Sequence, residues 1–123
     1  MAAASVAPIP TRIPLKAAAV AELPPTPCTD DGAGTVTCNF WAETGSLALA
    51  GGTSVPIWGY ATTNGGTPTL PGPVIIANEG DTVVVNLVNN LTEETSMIFP
   101  GQDMAPDLTG APANGGSQTY YFA

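Results

Sequence analysis

The side chains that could do chemistry in this chain are few: Cys28 and Cys38, ten carboxylates, three methionines and the aromatics Trp41, Trp58 and Tyr60, with no histidine. Without imidazole, neither a Ser-His-Asp nor a Cys-His arrangement can be assembled. A Ser-Lys pair would have to draw on Lys16, the only lysine, and no Gly-rich phosphate motif occurs. Carboxylate pairs of the glycosidase kind are conceivable among ten acids, but no aromatic-lined frame supports them. Zinc usually takes four Cys or His ligands, and only two candidates exist.

What remains is one covalent possibility and one binding surface. Cys28 and Cys38 bracket Thr29-Asp30-Asp31-Gly32-Ala33-Gly34. A hairpin-like turn there would bring the two sulfurs together as a disulfide, contributing about 2–3 kcal/mol in the chain-entropy view; two free thiols are the alternative. Trp41, Trp58 and Tyr60 offer a possible binding surface of the sugar-platform kind, with core or interface packing as the alternative. Asn90-Leu91-Thr92 matches the glycosylation sequon, which matters only in a eukaryotic secretory host.

Charge narrows the partners. Arg12 and Lys16 are the only basic residues against ten acids, a net charge of −8, so the counter-ion release that drives nucleic-acid binding is missing. Anionic lipid surfaces are disfavoured for the same reason. No stretch approaches the roughly 20 apolar residues needed to span a bilayer. Few charged residues, abundant Gly and Pro and the cysteine pair together suggest an extracytoplasmic location, secreted or periplasmic. A signal peptide is not evident: Arg12 and Lys16 precede a small apolar patch, but Pro8, Pro10 and Pro14 interrupt the segment and the apolar run is too short. Residues 1–27, rich in Ala and Pro, read as a disordered leader or linker, and residues 28–123 as one domain.

The elements that must position these groups are strands. Val36 to Trp41 is a first strand and Ser46 to Leu49 a second, turned by Gly51-Gly52; Val55 to Tyr60 is a third, at an edge because of Pro56. Val74-Ile75-Ile76-Ala77 is a fourth, followed by a tight Glu79-Gly80-Asp81 connection. From Thr82 to Val88 the pattern alternates, which places Val83, Val85 and Leu87 on a buried face. Met97-Ile98-Phe99 is a short apolar run, and Ser117 to Phe122 a last strand entered from Asn114-Gly115-Gly116. With no capped helical period, about seven strands make an all-β sandwich.

The order of these motifs resembles the first domain of the multicopper oxidases, the cupredoxin-like family that includes laccases. The resemblance covers residues 35–122. It is carried by Val55-Pro56-Ile57-Trp58-Gly59-Tyr60, Leu70-Pro71-Gly72-Pro73-Val74-Ile75, Glu79-Gly80-Asp81-Thr82-Val83, the run from Asn86 to Leu91, Pro100-Gly101 and Gly115-Gly116-Ser117-Gln118-Thr119-Tyr120. It implies a cupredoxin-like Greek-key β-sandwich. In the family, a Ser-x-His-x-His-Gly segment after the Asn-rich strand supplies copper ligands. Here that segment reads Ser96-Met97-Ile98-Phe99-Pro100-Gly101, so Ile98 and Pro100 stand at the two histidine positions, and neither carries a donor. Met97, Met104 and the two cysteines are soft donors suited to Cu(I), but packing is the expected role of the methionines. Asp107 is expected to cap a turn.

The resemblance also implies further strands, with another His-x-His, beyond Phe122, so the sandwich is expected to be incomplete at its C-terminal end. Three functional readings follow. The first is a copper-free, N-terminal cupredoxin-like domain or fragment of a multicopper-oxidase-type protein, structural or docking in role, with no catalysis and no cofactor of its own. The second is a domain of an active copper oxidoreductase whose ligands lie downstream. The third is an independent extracellular β-sandwich binding or assembly module. The partners expected are other cupredoxin domains, or another copy of the chain pairing through an exposed strand edge.

Overall fold

The computed structural model describes residues 25–123, and the expected leader falls largely outside them. Five strands form one sheet: β1 (Cys28–Asp30), β2 (Thr35–Ala48), β3 (Ser54–Ala61), β4 (Thr82–Asn89) and β5 (Gly116–Phe122). The order across the sheet is β1-β2-β4-β5, with β3 also paired to β2. β2 runs parallel to β4 and antiparallel to β1 and β3, while β5 is antiparallel to β4. The parallel β2–β4 pair needs a long crossover, which β3 and residues 62–81 provide.

Alternation decides which face is buried. Val36, Cys38, Phe40 and Ala42 of β2 lie beside Val83, Val85, Leu87 and Asn89 of β4, and all eight are buried. Val85 and Leu87 are 0% exposed, as the period-2 pattern of β4 requires. Among the described residues, irregular chain and Tyr60 of β3 cover this face. Leu91 and Ala111 are buried in the same cluster, and Ile75, Met97, Phe99 and Met104 pack against it. On the opposite face a polar ladder crosses three strands. Asn86 donates to Asn39 Oδ1 (3.0 Å) and accepts from the Thr119 hydroxyl (2.9 Å).

The fold is all-β as expected, but its strands are fewer than the seven read from sequence. Ser46 to Leu49 is not a separate strand: residues 46–48 continue β2, which runs unbroken for 14 residues. Val74 to Ala77 forms no strand: between Pro73 and the turn at residues 78–81, the Val74 N–H bonds the Pro25 carbonyl (3.0 Å). Met97 to Phe99 is likewise irregular, because the Met97 N–H is taken by the Tyr120 hydroxyl (3.1 Å) and Pro100 has no N–H to offer a ladder. β1 was not anticipated as a strand. Its chain is tied in from Pro27, whose carbonyl accepts from the Asn39 N–H (3.1 Å).

The two cysteines form a disulfide, Cys28–Cys38, with an S–S distance of 2.05 Å. They are direct partners in the β1–β2 register. The flanking bonds Asn39 N–H to Pro27 C=O and Asp31 N–H to Thr35 C=O make this a non-hydrogen-bonded pair, the position at which opposed Cα atoms of antiparallel strands come closest. The Glu79-Gly80-Asp81 connection is tight, as read. The Asp81 N–H bonds Asn78 C=O (3.1 Å), the Asn78 N–H bonds Asp81 Oδ2 (2.8 Å), and Gly80 takes a φ of 92°.

Candidate functional site

Residues 95–111 carry the two positions of interest across the mouth of the core. Thr95 and Ala111 close this excursion by a reciprocal pair of backbone bonds, 3.2 and 2.7 Å. Inside it, Met97 and Phe99 turn toward the core and Ile98 turns away, leaving Ile98 72% exposed. Phe99 sits between two β5 aromatics, with ring centroids 5.6 Å from Tyr120 and 4.8 Å from Phe122. Ile98 therefore ends no buried strand.

One side chain fixes the excursion to the sheet. Tyr120, 3% exposed, accepts from the Met97 N–H (3.1 Å) and donates to Asp107 Oδ2 (2.8 Å). Asp107 in turn accepts from the Thr109 N–H (3.0 Å) and the Gly110 N–H (2.9 Å), the turn cap expected of it. Gly110 is needed here: its φ is 78°, and a Cβ would lie 2.6 Å from the Thr95 carbonyl oxygen. The Gly110 N–H bond, followed by the Tyr120 hydroxyl and the Thr109 N–H, holds the Asp107 carboxyl below its usual range. Burial, with the Asp107 carboxylate adding to it, pushes the Tyr120 phenol up to about 12.

The Tyr120 link was not anticipated. Its sequence signal was available, since an inward-facing Tyr on β5 carries a polar tip that must find a partner when buried.

Copper does not fit this place. Ile98 and Pro100 have no donor atoms, and both cysteine sulfurs are joined to each other. Among the described residues no group of three or more His, Cys, Asp or Glu is arranged to hold a metal ion. Met97 and Met104 line a small cavity of about 40 Å³ with Phe99 and Pro106. Both also pack against the core, and two thioethers alone are not a copper site of the family's type.

The aromatics do not form one platform. Trp41 pairs with Ala61 in the β2–β3 register, while Tyr60 and Trp58 pair with Ala42 and Thr44; Trp41 thus lies on the opposite face of the sheet from the other two. Tyr60 packs edge-on against Phe40, centroids 5.8 Å apart. Trp58 alone is exposed, at 58%, beside a shallow cleft bounded by Thr44, Gly45, Pro56 and Ile57. The sequon asparagine is also engaged. Asn90 Nδ2 donates to Glu43 Oε1 and to Asn64 Oδ1 (2.9 Å). Its neighbour Asn89, fully buried, donates to the carbonyls of Glu93 (2.7 Å) and Ala111 (3.0 Å) and accepts from the Leu91 N–H (3.0 Å).

A family profile for multicopper oxidases matches residues 42–122, more than half of the chain and all of the excursion just described. The chain belongs to the multicopper oxidase family. Its all-β fold agrees with a cupredoxin-like domain of that family. Among curated proteins it is similar to Laccase-1 of Cryptococcus neoformans, 43% identical over 62 residues that cover 43% of this chain and 10% of the relative. Laccase-24 of Oryza sativa subsp. japonica is 45% identical over 62 residues, covering 43% and 11%. The multicopper oxidase MmcO of Mycobacterium tuberculosis is 41% identical over 61 residues, covering 45% and 12%. The match thus spans about a tenth of the length of these relatives. In this chain residues 95–111 are held to the sheet by Tyr120 and Asp107.

Proposed function

We propose that this chain is a copper-free cupredoxin-like domain of a multicopper-oxidase-type protein, serving as a structural and docking domain with no catalysis of its own. The observation that carries this reading is the construction of residues 95–111. The two ligand positions hold Ile98 and Pro100, and the chain around them is ordered by Tyr120 and Asp107, so no metal is required to shape it. In a larger protein, copper would be held by residues outside this domain. An extracytoplasmic location is supported by the disulfide, since such bonds persist in oxidising compartments.

The docking surface in this proposal is the edge of β5. Among the described residues β5 pairs only with β4, leaving one side of a seven-residue strand open to another cupredoxin domain or a second copy. Sedimentation of the full chain over a range of concentrations tests this. Self-association is expected, and it should strengthen with added salt, which screens repulsion between two chains of charge −8. A chain that stays monomeric at every concentration and salt level would remove the edge from the proposal. Phenol oxidation by the chain supplied with copper would remove the non-catalytic role.

A further inference from the structure

Two Asn-Gly-Gly triplets occur in the chain, Asn64-Gly65-Gly66 and Asn114-Gly115-Gly116. In such a sequence the backbone nitrogen of the glycine can attack the side-chain carbonyl carbon of the asparagine, because no Cβ hinders its approach. With the same local chemistry at both places, the fold decides between them. The Gly115 N–H is given to the Asn89 carbonyl (2.6 Å), a very weak base, and the Asn114 N–H to the Leu91 carbonyl (2.9 Å), so this triplet is tied into the entry to β5. The Gly65 N–H is given instead to a carboxylate oxygen, Glu43 Oε1 (2.8 Å).

Three separate parts of the chain build the setting of Gly65. The Gly66 N–H bonds the Thr63 carbonyl (3.0 Å), closing a turn with Asn64 and Gly65 at its centre, and Gly65 takes a φ of 70° that its missing side chain permits. Glu43 belongs to β2, and Asn90 directly follows β4. Asn90 Nδ2 donates to Glu43 Oε1 and to Asn64 Oδ1 (2.9 Å). It thus steadies the carboxylate that faces the Gly65 nitrogen. It also aims a donor at the oxygen that gains negative charge when the Asn64 side-chain carbonyl is attacked. Asn64 and Gly65 are exposed, and a Cβ added at Gly65 would meet nothing within 4 Å, so water reaches the turn.

We propose that Asn64-Gly65 is a self-modification site, at which Glu43 is the base and Asn90 the oxyanion donor for conversion of Asn64 to aspartate or isoaspartate. The Gly65 N–H proton passes to Glu43 Oε1 as the Gly65 nitrogen bonds Asn64 Cγ. The Cγ–Nδ2 bond then breaks, Nδ2 takes the proton back from Glu43 and leaves as ammonia, and a succinimide ring remains. One water opens that ring at either carbonyl, giving aspartate or, with the main chain rerouted through the side chain, isoaspartate. The sum consumes one water and releases one ammonia. Its product sets a second carboxylate beside Glu43, with Asn90 between the two.

Incubation of the full chain at neutral pH, followed by peptide mass spectrometry, reads both triplets in one sample. Asn64 is expected to convert about tenfold faster than Asn114, less than a positioned base usually contributes because hydroxide offers a parallel route. In concentrated urea the two triplets should convert at similar rates. Glu43→Gln keeps an acceptor for both hydrogen bonds and removes the base. With its fold verified by circular dichroism, this variant should lose about tenfold in the Asn64 rate while Asn114 is unchanged. A folded-chain rate at Asn64 equal to or below the rate in urea would overturn the proposal, and so would a Glu43→Gln variant that converts Asn64 as fast as the wild type.

Discussion

Replacing Tyr120 with Phe removes one oxygen from the core and tests what orders the ligand-position loop. The ring stays, so its contacts with Phe99 are kept. Two bonds disappear: the one accepted from the Met97 N–H and the one donated to Asp107. A half-buried N–H left without a partner costs about 1–3 kcal/mol, whereas the Asp107 carboxylate can turn to water. The expected loss is therefore about 2 kcal/mol. For a domain of this size that lowers Tm by roughly 8–16 °C.

Urea denaturation measures the loss, and hydrogen exchange locates it. Protection of the Met97 amide should collapse while that of Val85 and Leu87 falls only with global stability. A pH series adds an independent sign. The Tyr120 phenol is raised to about 12 in the folded state, so folding favours its neutral form. That contribution is complete below the unfolded value near pH 10 and is lost as pH rises toward 12. Wild-type stability should fall through this window, and Tyr120→Phe should flatten the fall, leaving a smaller part from Tyr60, which burial also raises. A loss below about 0.5 kcal/mol, with the Met97 amide still protected, would refute the argument.

Three further outcomes follow. Reduction of the Cys28–Cys38 bond, or replacement of both by Ser, should cost about 2–3 kcal/mol in denaturation experiments with the sheet retained by circular dichroism. Leu87→Ala, at a fully buried centre of β4, should lower stability by about 3–4 kcal/mol as measured by chemical denaturation. Gly110→Ala sets a Cβ against the Thr95 carbonyl at a positive φ; it should cost about 2–3 kcal/mol and broaden the resonances of residues 95–111 more than those of β2.

The sheet was legible where burial imposes a period. β4 alternates because one face is sealed and the other carries Asn86 in a polar ladder, and that pattern survives in the sequence. β2 was divided in two because its second half leaves the core, and small and polar residues there mimic a turn. The runs at Val74 and Met97 were apolar enough to read as strands, yet their backbone groups bond to Pro25 and to a tyrosine hydroxyl, partners far away in sequence. Ile98 and Pro100 were assigned to ligand positions by motif order alone. The lock on residues 95–111 was not legible, since it joins Asp107 to Tyr120 across a loop. The aromatic surface failed for a related reason: strand register puts Trp41 and Trp58 on opposite faces, and no single-strand pattern reveals a pairing register.

We propose that this member of the multicopper oxidase family keeps the frame of the domain while Ile98 and Pro100, at the positions the resemblance assigns to copper ligands, hold no metal. Copper content per chain, measured by elemental mass spectrometry after incubation with Cu(II) or reduced Cu(I) and removal of excess metal, tests it most directly. The expected value is far below one equivalent, with Tm unchanged by copper and no absorption of the blue-copper kind at roughly 600 nm. One tightly held copper per chain, with a matching rise in Tm, would contradict it.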